Sequence, residues 1–92
     1  MANLATKAID THGEYVKLDT ALSITLTAGK TYTFQSLYGE FYIRRGTVGK
    51  GFKIVNLMIG SFKAVSGVDI YVKTGVNAVT INIDEEDEES EE

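Results

Sequence analysis

The sequence has no cysteine, no proline and a single histidine, and it contains no long apolar run. Without cysteine there are no disulfide staples, no thiolate zinc site and no cysteine nucleophile, so stability has to come from packing or assembly. Without proline, exposed sheet edges lose one of their usual guards, a part that Lys17, Lys53, Lys63 and Lys73 can take instead. The longest uncharged stretches, residues 20–29 and 74–83, are ten positions each and are studded with Thr, Ser, Asn and Gly. A membrane helix needs roughly 20 apolar residues, so none is predicted. The first seven residues lack the basic-then-apolar order of a secretory signal, which points to synthesis and retention in the cytoplasm.

What is present is β-forming material. Of 92 residues, 35 are Val, Ile, Thr, Tyr or Phe, and the length suits one small domain with a single core. A domain of this size buries only about 60 to 65 % of its unfolded surface, so oligomerisation would add needed stability.

The net charge of −4 conceals a split: residues 84–92 hold eight of the thirteen acids, leaving five acids against all nine bases in residues 1–83. The body is basic and the end acidic. A like-charged run repels itself and has nothing apolar to bury, so residues 84–92 are expected to be a disordered tail.

Along the chain, period-two alternation dominates and no window sustains a helical stripe. Residues 1–13 are weakly patterned and read as a loose arm, and a domain of residues 14–83 follows. Strands are expected over residues 14–19, over 22–27 (Leu22, Ile24 and Leu26 against Ser23, Thr25 and Thr27), and after the turn at 28–30 over 31–35. Others follow at 41–44, 52–57, 61–65, 70–74 and 79–83. Eight short strands with glycine turns and no helical crossover predict an all-β fold, a small antiparallel β-sandwich, jelly roll or small barrel.

Chemistry is sparse. The loop at residues 46–51 carries three glycines and a lysine, but its spacing and its place between strands do not match a phosphate loop, so it reads as a mobile connection. Arg44, Arg45, Lys50 and Lys53 lie near Tyr42 and Phe52, a composition that can grip single-stranded nucleic acid; four charges beside an acidic tail favour a solvated basic edge instead. His12, between Asp10 and Glu14, has no triad partners and reads as exposed. No catalytic, cofactor-binding or metal-binding residue is predicted, since the tail lacks the glycine and ligand spacing of a calcium loop. Tyr15, Tyr32, Phe34, Phe41 and Phe52 are expected in the core, and Tyr38, Tyr42 and Tyr71 outside, where tyrosine marks interfaces. The candidate partner-binding residues are therefore Tyr38, Tyr42, Tyr71, Arg44, Arg45, Lys50 and Lys53, with Asp84, Glu85, Glu86, Asp87, Glu88 and Glu89 of the tail.

The run 24–34 (ITLTAGKTYTF), then 40–44 (EFYIR), Gly51-Phe52 and 68–74 (VDIYVKT) resembles small tailed-bacteriophage virion proteins over about residues 22–83. The resemblance implies a β-sandwich or jelly-roll module for capsid decoration, head fibre or tail attachment. It further implies a structural role with no cofactor, as a homo-oligomer among other virion proteins assembled in the host cytoplasm; the charge layout argues against nucleic acid as a partner, and the lack of an apolar span against a membrane. The tail lies outside the shared pattern. It supports a second reading, an acidic inhibitor or DNA mimic that holds a basic partner through residues 84–92.

Overall fold

The computed structural model describes residues 2–47 and 49–86, as eight strands and one short helix. In chain order these are β1 (Ala2–Ile9), β2 (Val16–Lys17), α1 (Leu18–Leu22), β3 (Thr31–Tyr38), β4 (Phe41–Arg45), β5 (Phe52–Ile54), β6 (Ile59–Lys63), β7 (Ile70–Thr74) and β8 (Val79–Glu85). They build two four-stranded antiparallel sheets, ordered β1-β8-β3-β6 and β2-β7-β4-β5. The pairs β1·β8, β2·β7, β3·β6 and β4·β5 are nested, as if one long hairpin had been rolled across two layers. That arrangement is a jelly roll.

Alternation explains the core. Tyr32 and Phe34 on β3, Val79, Ile81 and Ile83 on β8, Phe41 on β4, Ile54 on β5, and Ile70 and Val72 on β7 turn inward and are buried. Phe34 meets Phe41 edge-on across the sandwich at 6.1 Å, and Tyr32 stacks on Phe62 at 5.6 Å. Gly60 is needed beneath Phe34, because a Cβ there would sit 2.6 Å from the ring. Helix α1 buries Leu18 and Leu22, one turn apart, and closes the side where β1 and β2 lie. Thr11 and Thr74 join the layers at one end: each backbone N–H donates to the other's Oγ1 at 2.9 Å, out of reach of water.

Four expectations need correction. Residues 2–9 are no loose arm: β1 pairs with β8 along its length, with one irregularity between Asn3 and Ala5. Residues 14–19 supply only the two-residue β2 before the chain turns into α1. Residues 22–27 are no strand. Ser23 takes a left-handed conformation (φ 58°), with its N–H bonded to Thr20 O and that of Ile24 to Asp19 O, which ends the helix in the manner of a Schellman turn. Ile24 and Leu26 still face the core and Thr25 and Thr27 still face water, so the alternation is real but finds no neighbouring strand. Finally, Asp84 and Glu85 belong to β8, and the Glu86 N–H donates to Thr31 O at 2.9 Å. The sandwich runs to the end of β8, and Asp87, Glu88, Glu89 and the rest of the expected tail lie outside the described residues.

Glu85 is tied down. Its Oε2 accepts from the Tyr32 hydroxyl at 2.8 Å and its Oε1 lies 3.3 Å from Lys30 Nζ, while the same Tyr32 oxygen accepts the Thr27 N–H at 2.6 Å. The phenol hydrogen bond, helped by Lys30 and opposed by partial burial, holds the carboxyl below its ordinary value. A carboxyl with a depressed folded-state pKa stabilises the fold above its unfolded pKa, and that contribution fades as pH falls through the folded value. The thermal midpoint should therefore drop on acidification below the ordinary carboxylate range, and Glu85→Gln should flatten that acid limb in a series of melting curves.

Candidate interaction surfaces

Two surfaces stand out, and both follow from strand register. On β4 and β7 the outward positions are Tyr42 and Arg44, and Tyr71 and Lys73. The register sets Tyr42 opposite Lys73 and Arg44 opposite Tyr71, with Lys53 beside Tyr42 on β5 and Lys17 beside Tyr71 on β2. Tyrosines and cations thus alternate both along and across the strands. Lys73 Nζ lies 5.2 Å from the Tyr42 ring centre and 5.1 Å from that of Tyr15, and the Arg44 guanidinium carbon is 3.9 Å from the Tyr15 ring and 5.6 Å from Tyr71. These are cation–π distances, which steady a cation without neutralising it.

The β4–β5 loop folds onto this face. Arg44 Nε donates to Gly46 O at 3.0 Å and its Nη1 to Gly49 O at 3.2 Å, while the Tyr15 hydroxyl donates to Lys50 O at 2.6 Å. Gly51 (φ 80°) completes the seat: a Cβ would lie 2.7 Å from both Ile43 O and the Tyr15 oxygen. Carboxylates stay at the rim, with Glu40 3.2 Å from Lys53 and Asp69 3.5 Å from Lys17. Among the described residues, Arg44 and Lys73 have no carboxylate partner.

The second surface is the open side of the sandwich, where the free edges of β5 and β6 lie opposite the side that α1 closes. A cleft of about 370 Å³ runs between the layers there, lined by Phe34, Ile43, Phe52, Phe62 and Ile70 and bordered by Arg44 and Arg45. Phe52 in its wall is 75 % exposed, and the β5–β6 turn with the start of β6 exposes Leu57 (59 %), Ile59 (63 %), Val55 and Met58. Leu57 holds φ 69°, a left-handed conformation that leucine rarely adopts. It stays there because its N–H donates to Ser36 O at 2.8 Å while the Ser36 N–H donates to Met58 O at 3.1 Å.

Of the sequence candidates, Tyr42, Tyr71, Arg44 and Lys53 share the first face, with Lys50 in the loop above it and Arg45 at the cleft. Tyr38 stands apart at the other end, 69 % exposed, beside an open cleft of about 510 Å³ that reaches residues 75–79. Asp84 is engaged with Asn3, whose side-chain amide donates to it at 2.9 Å, and Glu85 with Tyr32; neither belongs to a free acidic segment. Phe52 is a correction, since it was expected in the core: it sits on a short edge strand and is left largely exposed among the described residues. Tyr15 is another, because it lies half-buried on the outer face. Lys17, Lys53 and Lys63 do sit on edge strands, whereas Lys73 is on the inner strand β7 and belongs to the face. Tyr15 and Lys73 were missed as site residues, although Tyr15-x-Lys17 repeats the spacing of Tyr42-x-Arg44 and Tyr71-x-Lys73. No family model, curated protein or solved structure matches the chain, so its function has to be argued from these surfaces.

Proposed function

We propose that the protein is a structural module of the tailed-phage virion kind, which works by assembling with copies of itself on a particle and acts by contact rather than catalysis. The observation that carries this reading is the set of exposed apolar side chains Phe52 and Ile59 on the edge strands β5 and β6 and Val55, Leu57 and Met58 on the turn that joins them. Exposed apolar side chains clustered beside free edges mark surfaces that another chain covers. An edge also offers unpaired N–H and C=O groups to a partner strand, which an apolar run alone would not. Jelly rolls recur in viral capsid domains, a likeness of fold that supports the reading by analogy only. The inhibitor or DNA-mimic reading draws less support, because Asp84 and Glu85 are committed to β8 and its contacts.

Light scattering on a sizing column, over a wide concentration range, tests the proposal. A discrete oligomer is expected, and Phe52→Ser with Ile59→Ser should return it to a monomer while its circular dichroism stays that of a folded β-protein. A full chain that is monomeric at every concentration, and that fails to join particles assembled around it, overturns the reading.

A further inference from the structure

We propose that the outer face of the β2-β7-β4-β5 sheet receives the acidic C-terminal segment, residues 87–92, of a neighbouring copy. The inference rests on the assembly reading above and names the polar half of that contact.

The face is built to accept anions along a line. Arg44 and Lys73 are held by tyrosine rings rather than by carboxylates, so their charge is positioned but unspent among the described residues. Lys17 and Lys53 flank them at the edges, and their partners Asp69 and Glu40 are about half exposed, so those pairs are weak and exchangeable. The four cations zigzag over all four strands, Lys53 and Lys73 flanking Tyr42 in one cross-strand row and Arg44 and Lys17 flanking Tyr71 in the next, so that cations on neighbouring strands are diagonal neighbours about 8 Å apart. An extended acidic peptide presents the carboxylates of one face at every second residue, a comparable step of about 6.6 Å. Tyr42 and Tyr71 between the cations give its aliphatic stems a surface to lie on and offer two hydroxyls.

The chain supplies the matching ligand. Residues 87–92 read Asp-Glu-Glu-Ser-Glu-Glu, five carboxylates in six positions. They follow directly on Glu86, which is fixed to Thr31 at the end of the sandwich where β4 also finishes. Six extended residues reach about 20 Å. Crossing from the β8 layer, around the end of the molecule and onto the far face of the other sheet, consumes most of that span, given layers about 10 Å apart. A neighbour's face presented at that end takes the whole segment. In an assembly, five like charges per copy would otherwise accumulate and repel. Docking each segment on a basic face turns that repulsion into attraction and raises its local concentration into the millimolar range. A free polyanion such as single-stranded nucleic acid has to displace it.

Three full-length chains make the test: the unaltered protein, a tail variant with Asp87→Asn and Glu88, Glu89, Glu91 and Glu92→Gln, and a face variant with Lys53→Gln and Lys73→Gln. Arg44 is left in place because it holds the loop. Each variant alone should assemble with a midpoint concentration about tenfold higher and with a shallower salt dependence than the unaltered chain. Mixed together, the two variants should assemble more tightly than either alone, since the face of one still meets the tail of the other. If both variants assemble like the unaltered chain, the inference fails while the assembly reading stands. If the unaltered chain never assembles, both fail. Parallel losses with no recovery on mixing would mean that each tail lies on its own body, and overturn the inference. So would retention of an oligothymidylate probe by the tail variant that assembles normally, which would make the face a nucleic-acid site.

Discussion

Thr74→Val lowers the thermal midpoint by roughly 10 °C, although it changes neither the volume nor the shape of the side chain. The Thr74 hydroxyl is the acceptor for the buried Thr11 N–H at 2.9 Å and also reaches Asp10 Oδ1 at 3.3 Å. Valine strands that N–H in a dry site, at a cost of about 1 to 3 kcal/mol. The reciprocal bond from the Thr74 N–H to Thr11 Oγ1 survives. Adding Thr11→Val removes it as well and leaves a second orphaned donor, so the double variant should lose about twice as much. Scanning calorimetry on the three proteins measures this. Equal midpoints for single variant and parent would mean that water reaches the joint between the layers.

The second large effect separates stability from assembly. Leu57→Asn places a residue that tolerates positive φ where leucine is held at 69°. Relief of that backbone strain, of order 1 kcal/mol, should leave the folded monomer as stable as the parent or more so. The same change removes the central apolar side chain of the exposed run. If Leu57 is an anchor of the contact between copies, its loss costs about 2 kcal/mol or more, a thirtyfold weakening of assembly. In the lone monomer Leu57 is 59 % exposed, so its own burial there does little to offset the strain. Thermal melts and light scattering on the same sample decide it, and an unchanged oligomer with an unchanged midpoint would remove Leu57 from the contact.

How much of this was legible depends on what each stretch has to do. Residues 70–74 and 31–38 announce themselves because their inward residues are large and β-branched or aromatic. β1 does not, because Ala2–Ile9 is mostly small or polar and earns its place through register with β8 and through Thr6 and Asn3, both bonded to Asn82. Residues 22–27 alternate as clearly as any strand, yet alternation reports only which side faces the core; whether a neighbour supplies hydrogen bonds is decided elsewhere in the chain. The outward positions of Tyr42 and Tyr71 could be read from period two. Their pairing with Lys73 and Arg44 could not, since a shift of two residues keeps every one of these side chains outward and changes only which of them meet.

The nested pairing of strands also sets an order of events in time. β4 and β5 are joined by the loop at residues 46–51 and can meet first, whereas β1 and β8 close a loop of some seventy residues. Formation of the native sheets therefore works outward from the middle of the chain, and topologies of such long range fold in milliseconds to seconds. A nascent chain cannot finish until β8 has been made. Until then β1 has no partner strand, and the edge of β3 that β8 will cover remains open to other chains. The protein is thus at greatest risk of mispairing while β8 is still unmade, and its core becomes able to close only once that strand has emerged.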